Sequence, residues 1–515
     1  MKKIFLLILT VIVFSNCRED YLEKSSLTSI AENNFWQSES DAFLALNGIY
    51  STLQSKALYG GNLNGGQGIP GYDGLSDNAF NAWKWEGPGK HMEGTMDPSH
   101  WWYEGIWTSS YQGISRVNAV VQNVNASSDE LIPIETKNEL LGQAYFLRAL
   151  LNFNLAVYFE EVPLILSPQS LEEAYVPKNS YAEINEQIIE DLTFSIEHLP
   201  AAHSNDMFGY ATKGAALGLL ARVQLYNHQY NGENGVLSLT EQIIGLGYAL
   251  HPDYAQLFST EGKESSEIVF AVRFLRGNDT SNGEMFSATY KASPKVDQQP
   301  MPNLVNDYYC IDGLSIATSP LYNPADKKQN RDPRAVASFF FKDDVYNVDI
   351  PRIFNENLAT KFGQRKYIRT GNDAEGNSPW SEGSLDFHVI RYADVLLMRA
   401  EAMAETGDLD GARSLINEIR ARVGMPSVED VEGTVLTQPE MIDLVRHERR
   451  VELALEGLRF MDLKRWGEME AAILRASLDP IGSYSPQYLG DKSLVFPIPQ
   501  GEIDVNPNLV QHPAW

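Results

Sequence analysis

Apolar residues recur along this chain mostly at helical spacing. Trp107, Tyr111, Ile114, Val117, Val121 and Val124 fall on one face of a helix, with Trp102 one turn earlier at its start. Residues 140–159 (LLGQAYFLRALLNFNLAVYF) are apolar nearly all round, the pattern of a helix buried among others. Thr212 is placed to cap a helix running to Tyr226, whose Ala and Leu content allows close packing. Residues 394–422 predict a helix through Ala400 and Met403, a turn at Gly407-Asp408, and a second helix through Ala412, Leu415, Ile416 and Ile419. Strand signals are sparse, the clearest being 267–274 (EIVFAVRF). Two tracts interrupt the helical rhythm. Residues 59–100 carry Gly60, Gly61, Gly65, Gly66, Gly68, Gly71 and Gly74 among Asn, Asp and Trp, and 275–385 mix Pro, Asn, Asp and Tyr. Loops this long in a compact protein are functional or disordered, and their aromatic content argues for function. The pattern predicts a mostly α fold with an irregular, loop-rich face and minor β structure.

The first residues have a different character. Lys2 and Lys3 precede an apolar run at 4–14 (IFLLILTVIVF), too short for a membrane-spanning helix and suited to a secretory signal. The run stops at Ser15-Asn16-Cys17. A cysteine at that point resembles the bacterial lipobox, although Phe14 and Asn16 stand where Leu and a small residue are usual. Cys17 is therefore the expected lipidation site and residues 1–16 the signal peptide. The following Arg18-Glu19-Asp20 resembles the acidic tag that directs Bacteroidota lipoproteins to the cell surface. With Cys17 lipidated, Cys310 has no disulfide partner among the two cysteines of the chain. No later stretch is apolar over a membrane-spanning length, so the lipid is the expected membrane attachment.

Acids outnumber bases 68 to 41, a formal charge of −27, which repels phosphate backbones and disfavours nucleic-acid binding. Hydrophobic residues at 43% over 515 residues supply a large core without disulfides or metals.

Within 394–422, small Ala400 and Ala412 flank Gly407 in a way that resembles a tetratricopeptide helix-turn-helix unit, and 140–159 and 212–247 are looser versions. Three stretches together resemble the SusD/RagB family of Bacteroidota outer-membrane nutrient-uptake lipoproteins. They are IRYADVLLMRAEA at 390–402, RHERRVELALEGLRFMDLKRWG at 446–467 and FPIPQGEIDVNPNLVQHPAW at 496–515. QAYFLRA at 143–149, Val162-Pro163 and the 212–226 segment agree with them, while His512 and Ala514 replace the Asn and Gly usual at the ending. The resemblance implies a SusD-like fold in two parts, 17–250 and 251–515, with tetratricopeptide-like pairs as scaffold. It also implies a partner, a SusC-like TonB-dependent β-barrel in the outer membrane, over which the lipoprotein sits as a lid and delivers an oligosaccharide without chemistry on it. No cofactor and no metal is implied.

A sugar site needs exposed rings for the CH faces and Asp, Asn or Arg for the hydroxyls. Five of the nine tryptophans lie at 83, 85, 101, 102 and 107, beside the glycine-rich tract. Trp107 and Trp102 belong to the helical stripe and are expected in the core. Trp83 and Trp85 lie in the loop and, two apart, project to one side of an extended segment. They are the expected ligand platform, with Tyr72, Asp73, Asp77, Asn78 and Asn81 as neighbouring hydrogen-bonding groups. By resemblance, the loops after 267–274 add Phe286 and Tyr290, with Tyr308, Tyr309 and Trp380 as outer candidates.

The charged run His447, Glu448, Arg449, Arg450, Glu452, Glu456, Arg459, Asp462, Arg465 has a catalytic look but reads as a partly buried ion-pair network, with Arg449 and Arg459 neutralising the glutamates. His447-Glu448 is not a zinc motif, because position 451 is Val451. No nucleophile elbow, P-loop or C-x-x-C is present, so no catalytic residue is assigned. A glycoside hydrolase and a protein-binding helical scaffold are the competing readings. Sixty-eight acids offer carboxylate pairs everywhere, so such pairs carry no weight.

Overall fold

The computed structural model describes residues 35–61, 68–204, 207–276, 282–287, 297–347, 352–368 and 382–515. The leader with Cys17, as well as Gly65, Gly66, Tyr290 and Trp380, lie outside the described residues.

The fold is mostly α. Helices α1 (Glu39–Leu53), α2 (Trp101–Ala126), α3 (Ile134–Phe159), α4 (Tyr181–His198), α5 (Lys213–Tyr226) and α6 (Val236–Ile244) make the first half of the scaffold. Helices α7 (Tyr392–Thr406), α8 (Leu409–Arg422), α9 (Gln438–Glu452), α10 (Arg459–Trp466) and α11 (Met469–Leu478) make the second, and shorter helices fill the connections. Helix α3 packs on α2 and α4, and from Leu140 to Phe159 every residue but Tyr145 is buried, as its all-round apolar pattern predicts. The Thr212 hydroxyl caps α5 by accepting the Ala215 N–H. Gly407 ends α7 in the left-handed conformation at φ 92°, and Asp408 caps α8, so the predicted helix-turn-helix forms with Ala400 and Ala412 buried together. Trp102 and Trp107 are core residues, as expected. Among the described residues, no helix is long and apolar enough to cross a membrane.

The strands are short and pair antiparallel. They are β1 (Ala79–Asn81), β2 (Ile268–Val272), β3 (Gln298–Pro300), β4 (Phe339–Phe340), β5 (Val345–Asn347), β6 (Arg352–Ile353), β7 (Gly363–Gln364) and β8 (Phe387–Arg391). The predicted strand is β2, which pairs with β8 through register shifts near Phe270. A single residue, Ala82, separates β1 from Trp83, and β3 holds β1 in place with Asn81 opposite Gln298.

The charged run is a buried ion-pair network, but its partners differ from those expected. Arg391 bonds Glu267 at 2.8 Å, Glu452 at 2.7 Å and Glu456 at 2.8 Å. Arg334 and Arg420 hold Glu448, and Arg334 and Arg422 join Arg391 on Glu452. Arg449 turns instead to Asp394 and Asp462, and Arg459 to Asp77. The reason is geometric. Neighbouring helix positions point about 100° apart, so Arg449 faces away from Glu448, and Arg459 belongs to the next helix beyond a turn at Leu455 with φ 64°. The neighbouring arginines hold Glu448, Glu452 and Glu456 below the usual carboxylate range against the opposing effect of burial.

Candidate functional site

Two exposed tryptophans stand on a buried polar frame. After β1, Ala82 donates its N–H to the Asp297 carbonyl at 2.9 Å, and Trp83 donates its N–H to the Asp297 carboxylate at 2.7 Å. The Asn81 amide donates to the Trp83 carbonyl and to the same carboxylate. A single 3-10 turn, Lys84–Glu86, closes when Glu86 N–H returns to the Trp83 carbonyl at 2.8 Å. Gly87 then turns the chain at φ 121°, where a Cβ would lie 2.5 Å from the Trp102 ring. Lys84 pairs with Glu93 at 2.6 Å.

This frame leaves Trp83 38% and Trp85 51% exposed, their rings edge-on at 6.4 Å between centroids and 77° between planes. Beneath them, the Glu86 and Asp297 carboxyls face each other. Burial and the neighbouring Glu86 push the Asp297 carboxyl up to about 10, so the pair holds a proton at neutral pH. Trp101, 41% exposed, adds a third open ring and stacks on His100 at 5.5 Å and 29°. The His100 ring faces the Trp85 backbone carbonyl, which ties the start of α2 to the loop, while burial and Lys90 lower its pKa. The sequence carried a signal for Trp101. It lies six residues, or about 600°, before Trp107, which turns it off the buried stripe.

The other expected ligand contacts are corrected by the structure. Tyr72, Asp73, Asp77, Asn78, Asn81 and Phe286 are all buried, and protein atoms already surround them. Tyr72 packs against Trp102, Tyr158 and Phe496. Asp73 accepts the Asn78 amide at 2.8 Å and the Gly457 N–H at 2.6 Å. Three arginines converge on Asp77, namely Arg450 at 3.1 Å, Arg459 at 2.9 Å and Arg475 at 3.0 Å. They hold its carboxyl far below the ordinary range despite the opposing effect of burial. Asn78 accepts from Arg450 at 3.0 Å. Phe286 is walled in by Phe274, Tyr367 and Phe387. Polar residues in a glycine-rich tract looked like hydroxyl-binding groups; they are the anchors that fasten the tract to the C-terminal helices. Of the outer candidates, Tyr308 is buried with its hydroxyl on the Val451 carbonyl at 2.7 Å, and Tyr309 stacks on His447. Among the described residues, no cluster of three His, Cys, Asp or Glu is placed to hold a metal.

With this fold and loop in view, comparisons with known proteins define the class. A family model described as the SusD family matches residues 266–515, and one described as starch-binding associating with outer membrane matches 73–225. The chain belongs to the SusD/RagB family. It is 26% identical over 490 residues to SusD-like protein P38 of Formosa agariphila, covering 90% of each chain. A SusD-like protein of Bacteroides fragilis superposes with a TM-score of 0.78 at 25% identity, covering 96% of this chain and all of the other. A SusD-like carbohydrate binding protein of the same species gives 0.75 at 27%, covering 92% of this chain. The fold also matches a laminarin binding SusD-like protein with a TM-score of 0.72 at 24% identity, covering 93% of this chain.

Proposed function

We propose that this chain is a non-enzymatic glycan-binding lipoprotein of the outer membrane. It captures an oligosaccharide on Trp83, Trp85 and Trp101 and hands it to a SusC-like TonB-dependent barrel, over which it sits as a lid tethered through Cys17. The observation that carries the reading is the pair of exposed tryptophans held on a buried frame of backbone and carboxylate hydrogen bonds. Exposing rings of that size costs solvation, and a frame that prevents their collapse into the core keeps a stacking surface open for sugar CH faces. Carbohydrate binding in a related SusD-like protein supports the ligand class. The family descriptions support the membrane association.

Titration of the purified protein with maltohexaose and laminarihexaose, with a reducing-end assay on the same mixtures, tests this. Binding without new reducing ends, weakened in Trp83→Ala and Trp85→Ala, is expected. Release of reducing ends makes the protein a hydrolase, and binding of neither sugar removes the glycan reading. Co-purification of a TonB-dependent barrel, lost without the lipid anchor or independent of it, decides the partner.

A further inference from the structure

We infer that the chain has a second saccharide-binding site, formed by Phe208, Tyr210, Asn47 and Arg273 and separate from the tryptophan loop. The inference rests on the reading that the protein binds glycans, and it adds a site that the sequence did not signal. Two adjoining hollows, of about 240 and about 300 Å³, lie on either side of the segment Phe208–Tyr210 and share Ala271 and Arg273 as a wall. Each is on the scale of a sugar ring rather than of a single water.

The lining has the two components a sugar requires. Phe208 is 52% exposed, an unusual state for a ring with a core beside it. It is held there because the Arg273 guanidinium lies over its face at 4.3 Å. Arg273 is in turn fixed by Asp386 at 3.1 Å and by the Lys263 carbonyl at 3.1 Å, which leaves Nη2 without a protein hydrogen bond among the described residues. Gly209, at φ 102°, lets the backbone press on this side chain, since a Cβ there would lie 3.0 Å from Arg273 Cγ. Tyr210 is braced edge-on against Tyr50 at 5.1 Å, and its hydroxyl donates to the Asn47 side-chain oxygen, leaving the exposed Asn47 amide group able to donate. An apolar ring beside amide, hydroxyl and guanidinium donors matches a pyranose with its CH face and hydroxyl edge. Lys263 and Arg273 share the buried Asp386, which matches one of their two positive charges inside the protein.

The two sites are well apart. Arg116 of α2 donates to the Gly48 carbonyl and the Thr52 hydroxyl, which sets the hollow level with that part of the helix. Trp101 opens the same helix fifteen residues earlier, about 22 Å away along its axis at ~1.5 Å per residue. A long glycan reaching both would gain from simultaneous engagement, whereas a trisaccharide is too short to do so.

The test uses maltotriose and laminaritriose, titrated separately to millimolar concentration and followed by NMR. The protein should take up two equivalents of the sugar it binds. Phe208→Ala and Asn47→Ala should each reduce this to one, and the remaining equivalent should vanish in a Trp83→Ala, Trp85→Ala double variant. Both Phe208 and Asn47 are exposed, and an unchanged melting temperature verifies that each variant folds. A single equivalent, lost with the tryptophans and indifferent to Phe208→Ala and Asn47→Ala, overturns the second site and leaves the capture reading standing. Uptake of neither sugar overturns both.

Discussion

Asp297 accepts the backbone N–H of Trp83 at 2.7 Å across 214 residues of sequence, so the position of the exposed indole is set by a buried carboxyl group just before β3. Everything expected of the tryptophan loop follows from such long-range attachments.

With its carboxyl pushed up to about 10, folded Asp297 keeps a proton that the unfolded chain, at an ordinary value of ~3.9, has released by neutrality. The folded state then binds more protons than the unfolded state, so this group's contribution is full below about pH 4 and is lost as pH rises toward 10. Glu86→Gln removes the facing carboxylate and supplies an amide donor in its place. Thermal melts at pH 6 and pH 9 should show a smaller loss of melting temperature in the variant than in the wild type; an equal or larger loss refutes the shared proton.

The arginine-paired carboxylates act in the opposite direction. Asp394 is held down to about 2 by Arg449 and Arg222 against the effect of burial, and Asp77, Glu448, Glu452 and Glu456 are also lowered. The unfolded chain takes up protons at these positions first, so their stabilisation is present above about pH 4 and is lost as pH falls through the folded values. Acid titration followed by circular dichroism should show cooperative unfolding below about pH 4, with high salt unable to restore the fold.

Asp77 separates frame from platform. Asp77→Ala leaves three arginines without their shared carboxylate and should cost about 3–5 kcal/mol in urea denaturation, the usual cost of breaking a buried pair. Trp85→Ala should change stability by about 0.5 kcal/mol or less while abolishing most glycan affinity. Equal stability losses in the two would place both residues in the same role.

Gly87 offers a third contrast. Its φ of 121° and the Trp102 ring 2.5 Å from a would-be Cβ leave no room for a side chain. Gly87→Ala must displace the turn that carries Trp83 and Trp85. Affinity for a bound hexaose should fall at least tenfold, or about 1.4 kcal/mol, beyond any effect of the same substitution at Gly501, where nothing lies within 4 Å.

Trp101→Ala should weaken hexaose binding less than Trp85→Ala does and leave trisaccharide binding nearly unchanged, because its ring stacks on His100 whereas Trp83 and Trp85 pair with each other. Paired titrations with the two chain lengths read this directly.

Local pattern was enough for the scaffold. The all-round apolar pattern of α3, the Thr212 cap and the Gly407 turn are properties of neighbouring residues, and each formed as its spacing predicts. Of the candidate platform, the sequence marked the exposed Trp83 and Trp85, while their polar neighbours, expected at the surface, are buried. Asp73, Asp77 and Asn78 are polar residues in a glycine-rich tract whether they meet a sugar or meet Leu455, Gly457 and Arg459, and those partners lie more than three hundred residues away. The same limit hid the hollow at Phe208, whose walls come from segments far apart in the sequence, around Asn47, Phe208 and Arg273. Charge type was readable in the run 447–465; which arginine faces which glutamate was not, because that depends on where α9 stops.

The attachment of residues 69–81 to the C-terminal helices also has a mechanical consequence. Asp73 and Asp77 bind that tract to Gly457, Arg450, Arg459 and Arg475, so a pull on the indoles reaches α9, α10 and α11 through charged, nearly inextensible links. A load on the loop is therefore shared with the helical body rather than borne by the loop alone.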